Sequence, residues 1–380
     1  KGLPAGFNPD SFDAIVVGAG YAGATCARRL AESCGFKVCV LERRDHIAGN
    51  AYDFLDDAGV LVHKYGPHIY HTVNDRVNEF LSRFTEWTDY QHKVLANIHG
   101  TLMPVPFNHR SLKLAFGDEK GERLYQKLVD TFGENKKVPI MELREKNDPE
   151  LVEVADYVYE NVFLHYTMKQ WGQTPDQIDP SVTGRVPVFV GDDERYFPQA
   201  PHQGMPAEGY TALFEHMLEH DLISVYLDVD ARDLLTVSDT SVTVCGRPYG
   251  GEIIYTGPLD ELFGLDMGAL PYRTLDMVFE TLDCDQFQPV GTVNYTRITE
   301  FKNMTGQVVP GKTTILKEYS KAYEPGSGET PYYAIIEDAN LDLYRRYRAR
   351  VEDLVNFHCV GRLAEYRYYD MDGVVASALD

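Results

Sequence analysis

Gly18-Ala19-Gly20-Tyr21-Ala22-Gly23, with Glu42 19 residues beyond the last glycine, is the first group in this chain whose types and spacing suit a chemical task. Gly18 permits a tight turn, Gly20 lets the backbone approach a pyrophosphate, and Gly23 lets a helix pack closely on a strand. The Glu42 carboxylate can accept hydrogen bonds from ribose hydroxyls. Together they describe a pocket for the ADP half of a dinucleotide. A strand–helix turn with no ligand would explain the glycines but not the placed acid. A second group lies downstream in Tyr166-Thr167-Met168-Lys169-Gln170-Trp171-Gly172, with Arg185 14 residues after Trp171. Aromatics beside polar residues suit stacking of a base and hydrogen bonding to its edge. An arginine on a Pro/Gly-flanked loop suits a phosphate clamp. The same residues also read as a core tryptophan and a solvated arginine.

The elements that must hold the first group are legible. Asp13 to Val17 is a β-branched run that reads as a buried parallel strand. Ala24 to Ala31 has helical character, and Lys37 to Leu41 reads as a second strand ending at Glu42. The helix N-terminus between them offers free N–H groups and a positive dipole end to phosphates. NAD and FAD share this fingerprint. The continuation Arg43-Arg44-Asp45-His46-Ile47-Ala48-Gly49-Asn50-Ala51, a basic pair and then a small-residue turn, resembles the extension of glutathione-reductase-like FAD folds. That resemblance favours FAD.

Further along, Asn74 to Phe84 has helical spacing, and Leu102 to Asn108, with two prolines, breaks the pattern. Residues 111–166 read as mostly helical, and 174–209 as irregular and rich in Pro and Gly. Thr211 to Leu222 reads as a helix, and Glu252 to Tyr255 as a buried strand closed by Gly257-Pro258 and returning to the dinucleotide sheet. Residues 271–320 alternate like antiparallel strands, and Leu341 to Val355 reads as a basic amphipathic helix. The expected fold is α/β: a Rossmann-like FAD-binding domain with a helical insert and an antiparallel β-sheet domain. The expected FAD-binding domain is residues 1–85, completed by about 225–265 and 340–380; the helical domain is 105–180, and the sheet with its substrate loops is 181–222 and 266–335.

Bulk properties narrow the function. The 380 residues carry 58 acidic and 36 basic side chains, a net charge of -22. Such a chain lacks the basic face that nucleic acid requires, and an anionic substrate would need a few positioned arginines. The six cysteines, at 26, 34, 39, 245, 284 and 359, include no C-x-x-C pair and no metal-like cluster. They suit a reducing compartment. The first six residues lack the apolar core of a secretory signal, and no run of about 18 apolar residues occurs. A cytoplasmic protein without a membrane span or a metal is expected.

The second group, with its spacing, resembles the bacterial-type UDP-galactopyranose mutases. Further matches run in order along nearly the whole chain. They include His46 to Tyr52, His63 to Thr72, Arg185 to Val188, Glu194 to Phe197, and Ile254 to Pro258. They continue through Tyr295 to Glu300, Lys317 to Tyr319, Pro331 to Tyr333 and Gly361 to Asp372. The resemblance implies an isomerase, an intramolecular transferase, that interconverts UDP-galactopyranose and UDP-galactofuranose without net redox change, for cell-surface polysaccharide synthesis. It implies that FAD is active in its reduced form, with N5 attacking the anomeric carbon and expelling UDP. The sugar then opens as a flavin iminium and recloses. By position, Arg185 and Arg297 match the phosphate-binding arginines, and Tyr196, Tyr333 and Tyr368 the tyrosines of the diphosphate. Phe163, Tyr166, Thr167 and Trp171 match the uridine pocket, and Asn294 an asparagine facing the nucleotide-sugar. Arg362 and Asp370 match positions near flavin and sugar, and His68 and His71 the flavin-side histidines. The first motif implies Gly18, Gly20, Gly23, Glu42, Arg43 and Asn50 at the cofactor. Between Asn294 and Arg297 the chain is several residues shorter than the family pattern. A homo-oligomer, dimeric or higher, is expected. Two other classes fit the fingerprint alone: a flavin oxidase or dehydrogenase, active with oxidised flavin, and a flavin-free binding protein that needs neither Arg185 nor Trp171.

Overall fold

The computed structural model describes residues 2–163, 187–238, 240–294 and 297–380. At its centre is a five-stranded parallel sheet. Ala14–Val17 lies between Val38–Leu41 and Glu252–Tyr255, with Ile223–Tyr226 and Phe357–Cys359 on the outside. These strands are short, apolar runs because both faces are covered. Side chains alternate between two cores. Ala14, Val16, Val38, Val40 and Ile254 pack with the helices Tyr21–Arg29, Tyr210–Leu218 and Met371–Leu379. Ile15, Cys39, Leu41, Ile253 and Tyr255 pack on the other side with Tyr347 and Val351 of the helix Asp338–Glu352.

The second sheet has seven strands and is mixed. Its spine is the long pair Tyr272–Leu282 and Thr313–Ala322, in register from Arg273 opposite Ala322 to Leu282 opposite Thr313. Beyond it follow Arg297–Glu300, Thr292–Asn294, Val94–Ile98 and Thr101–Val105, with Tyr333–Ala334 on the far edge. Neighbours run antiparallel except Thr292–Asn294, which pairs in parallel with Val94–Ile98. Sequence patterning loses the Thr101–Val105 strand at its proline. The strand is an edge, so the missing N–H of Pro104 does not disturb an inner ladder.

The helices His109–Phe116, Asp118–Phe132, Ile140–Glu145 and Pro149–Val158 bury Leu112, Leu124, Leu128, Leu143, Leu151 and Val154 in a core shared with Val94 and Ala96 of the mixed sheet. Two starts are set by caps: Asn108 accepts from Ser111 N at 3.1 Å, and Asp148 accepts from Glu150 N at 2.9 Å with Pro149 as first helical residue. Among the described residues no helix is long and apolar enough to cross a membrane.

Candidate active site

The carboxyl end of the central strand opens the first cleft. Gly18 takes φ +102°, and a Cβ there would lie 2.2 Å from Thr256 Oγ1, whose hydroxyl donates to Val17 O at 2.6 Å. A Cβ on Gly23 would lie 1.9 Å from Gly18 O, so only glycine lets the helix sit this close to the turn. Gly20 precedes the helix without a side-chain cap, leaving the first N–H groups facing outward. The second glycine turn closes on the first: Gly49, at φ +55°, would place a Cβ 2.8 Å from Gly20 Cα.

Glu42 is buried, and its carboxylate accepts from Ala19 N at 2.8 Å and Arg44 N at 2.9 Å. These bonds fix its orientation and leave each oxygen a further lone pair for ribose hydroxyls. Arg43 lines the same cleft and donates to Glu261 at 3.1 Å. Its neighbour Arg44 reaches inward, donating to Asn50 Oδ1 at 2.9 Å with its guanidinium 4.2 Å from the centre of the Tyr65 ring. The cleft holds about 220 Å³ and includes Gly18, Gly20, Glu42, Arg43 and Asn50 in its wall, whereas Gly23 lies behind it.

A larger cavity of about 530 Å³ adjoins it, and Asn50, His68, Arg362 and Met371 line both. Its wall brings together residues from distant parts of the chain: His68, His71, Tyr196, Asn294, Arg297, Tyr333, Arg362, Tyr368 and Asp370. The mixed sheet supplies Asn294, Arg297 and Tyr333, and the segment after the last parallel strand supplies Arg362, Tyr368 and Asp370.

Charge in this cavity is organised by pairing. Arg297 binds Glu318 in a two-pronged arrangement, Nε to Oε2 at 2.5 Å and Nη2 to Oε1 at 2.8 Å, and the Glu318 side chain is only 3% exposed. Arg362 donates to Tyr332 O at 2.9 Å and lies 4.9 Å from the Tyr368 ring centre and 5.5 Å from that of Tyr333. His68 Nδ1 is 2.9 Å from Gly66 O. A carbonyl only accepts, so Nδ1 carries the proton and Nε2 presents a lone pair. Burial, reinforced by His63 and the nearby arginines, pushes the His68 imidazole down to about 3, so it is neutral at physiological pH. His71 stacks on Phe197 with ring centres 3.5 Å apart, its Nε2 3.9 Å from Asp370.

Phe163 is placed elsewhere. It is buried in the helical core, stacked on Tyr159, and is not part of the cavity wall. Tyr166, Thr167, Trp171 and Arg185 lie outside the described residues. Sequence reasoning missed Lys137, Tyr65, His92, Tyr332 and Glu318. The first four line the larger cavity, and Glu318 forks Arg297. His92 carries no spacing signal: its burial beside Tyr196 and Phe197 joins two segments about 100 residues apart in the chain. Glu318 was detectable only as the centre of Lys317-Glu318-Tyr319.

The uncapped helix start, the two meeting glycine turns and the oriented Glu42 fit the diphosphate and ribose of a dinucleotide. The run of wall residues from the cleft into the larger cavity gives such a cofactor the length it needs. The class is therefore a Rossmann-like dinucleotide-cofactor enzyme with a second cavity, lined by Lys137, Arg297 and Arg362, beside the cofactor cleft. Residues 16–84 match the profile of an NAD(P)-binding Rossmann-like domain, and residues 161–368 match that of UDP-galactopyranose mutase. The chain is 33% identical to UDP-galactopyranose mutase of Mycoplasma pneumoniae (strain ATCC 29342 / M129 / Subtype 1), over 98% of this chain and 96% of that one. It is 31% identical to dTDP-fucopyranose mutase of Escherichia coli, over 96% of each. Its fold matches a crystal structure of reduced UDP-galactopyranose mutase with TM-score 0.67 at 16% identity, covering 97% of this chain and 94% of that one. A redesigned putrescine oxidase shares the fold with TM-score 0.56 at 14% identity, over 97% of each chain.

This chain belongs to the UDP-galactopyranose mutase family. It is a flavin-dependent mutase, an isomerase, with FAD as its cofactor.

Proposed function

We propose that the enzyme interconverts UDP-galactopyranose and UDP-galactofuranose, with FAD in its reduced form. The observation that carries this reading is the cavity that joins the cofactor cleft at Asn50, His68 and Arg362 and is walled by Arg297, Tyr196, Tyr333 and Tyr368. The reduced flavin supplies a nucleophilic centre for the anomeric carbon. The protein's part is to hold the diphosphate as it leaves and returns. Arg297 stabilises the charge that develops there, and Glu318 fixes the plane of its guanidinium. Tyr196, Tyr333 and Tyr368 donate hydroxyls to the same group, and Arg185 is a second cation for it. Trp171, Tyr166 and Thr167 serve the uridine. Neutral His68 offers Nε2 as an acceptor at the flavin side and does not act as an acid near neutral pH. Asn294, Arg362, His71 and Asp370 line the space for the sugar and flavin. The six free cysteines support a cytoplasmic location. A homo-oligomeric assembly is part of the same proposal.

The purified protein should be yellow and should convert UDP-galactofuranose only after reduction. Equal turnover by fully oxidised enzyme would overturn the reading. The likeness to dTDP-fucopyranose mutase favours one second substrate, dTDP-fucopyranose. Specificity constants measured for both sugars decide between them, and the UDP-sugar should be preferred.

A further inference from the structure

We infer that Lys137 is an additional cation for the substrate's diphosphate, placed on its nucleoside side. This role rests on the proposed nucleotide-sugar reading. Three basic residues line the larger cavity among those described: Lys137, Arg297 and Arg362. Arg297 is forked on buried Glu318, and Arg362 lies among tyrosine rings at the junction with the cofactor cleft. Lys137 differs from both. Its Nζ donates to the neutral amide of Gln199 at 3.0 Å, and among the described residues it forms no ion pair. The chain has 58 acids, and Lys93, Lys113, Lys120, Lys127, Lys312, Lys317 and Lys321 each hold a carboxylate. Among the described residues no carboxylate neutralises this lysine on the wall of the cavity, and burial pushes its ammonium down from the usual lysine range, a cost that an anionic ligand would offset.

Position assigns the end of the ligand. Lys137 sits in the strand Lys136–Val138, opposite Phe189 of the strand Val188–Val190. Val105, Pro106, Pro187 and Tyr196 share its cavity, and none of these, nor Lys137, lines the cofactor cleft. The reacting sugar carbon must face the flavin, so the nucleoside points away from the cleft shared by Asn50, His68 and Arg362. The strand of Lys137 belongs to a separate two-stranded sheet against Phe107 and the helical core, apart from the sheet that carries Arg297 and Tyr333, and this puts Lys137 on that remote side. An ammonium there is a point charge that suits phosphate without fixing a plane. It binds ground and transition states alike, so it should act on binding more than on turnover.

The test is titration of UDP into oxidised holoenzyme, for wild type, K137Q, K137R and Q199A, with steady-state kinetics of the reduced enzymes. K137Q should weaken UDP about tenfold, the loss of one charge-assisted hydrogen bond. KM for UDP-galactofuranose should rise by a similar factor, with kcat within about twofold of wild type. K137R should restore most of the affinity, and Q199A should bind UDP like wild type. If K137Q binds UDP as wild type does, or Q199A loses as much as K137Q, the role of Lys137 is overturned. If the wild type itself binds no UDP, the reading of the whole cavity falls, and this role with it.

Discussion

At the scale of single residues, the Arg297–Glu318 pair fixes the cation proposed to hold the leaving diphosphate. Two parallel hydrogen bonds at 2.5 and 2.8 Å fix the guanidinium, and a carboxylate 3% exposed has little room to move. Lysine has charge but no fork. Arg297→Lys should lower kcat/KM by about ten- to a hundredfold while leaving the flavin spectrum unchanged, as steady-state kinetics and an absorbance scan will show. His68 makes a prediction of the opposite kind. Burial holds its imidazole down to about 3, so it stays neutral across the working range. The pH profile of kcat should therefore show no limb from this residue between pH 5 and 8, and His68→Asn should leave the shape of the profile as in wild type. A limb near pH 6 that vanishes in the variant would contradict the neutral assignment.

At the scale of elements, the first strand, glycine turn, helix and second strand were legible because each obeys a local rule. The apolar run is buried on both faces, and the glycines occupy positions where a Cβ would meet backbone or side-chain atoms. Gly23→Ala tests this. Its methyl group would sit 1.9 Å from Gly18 O, which forces the helix away from the turn that faces the cofactor. Purified Gly23→Ala should carry much less flavin per chain than wild type, measured as the ratio of visible to ultraviolet absorbance. Normal flavin content would show that the helix start does not set cofactor binding. The hairpin of Val94–Ile98 and Thr101–Val105 was not legible, because Pro104 is a strand breaker except at an edge, and edge position is a property of the sheet. Its parallel pairing with Thr292–Asn294 joins segments nearly 200 residues apart.

At the scale of the whole molecule, stability is linked to groups buried with their protons in unusual states. His63, His68 and His92 are each pushed down to about 3, with burial as the largest cause. The unfolded chain binds protons at these sites below about pH 6.5, whereas the fold does not. Their contribution is fully present above about pH 6.5 and is lost as pH falls towards 3. Asp260 runs the other way. It is 2% exposed, its Oδ2 accepts from Leu270 N at 2.8 Å, and burial raises its carboxyl to about 6. Its contribution is present below about pH 4 and is lost as pH rises through 6, by about 3 kcal/mol at most. Three histidines outweigh one aspartate, so the melting temperature should fall between pH 7 and pH 4.5. Asp260→Asn should raise it at pH 8 and change it little at pH 4.5. A variant with equal effects at both pH values would show that Asp260 is not a buried acid. Removing FAD should lower the melting temperature as well, since a ligand at a hundred times its Kd adds about 2.7 kcal/mol to the folded state.

By itself the sequence determined the dinucleotide fingerprint, the apolar strands around it and the order of the family's motifs, because turns, strand burial and helix starts are decided within a few residues. It also named ten residues of the larger cavity's wall, Asn50 among them, yet only through resemblance, since nothing local says that His68, Asn294, Tyr333 and Asp370 meet. The tertiary structure decided that meeting, and with it the pairing of Arg297 with Glu318, the burial of Phe163 away from the cavity, and the place of Lys137. The physical reason is distance along the chain: a parallel sheet closed by strands at 14–17, 252–255 and 357–359, beside a mixed sheet that begins at residue 94, brings these side chains together. The cleft at Gly18, Gly20 and Glu42 is the proposed seat of the cofactor; the packing of the two sheets forms the larger cavity that adjoins it.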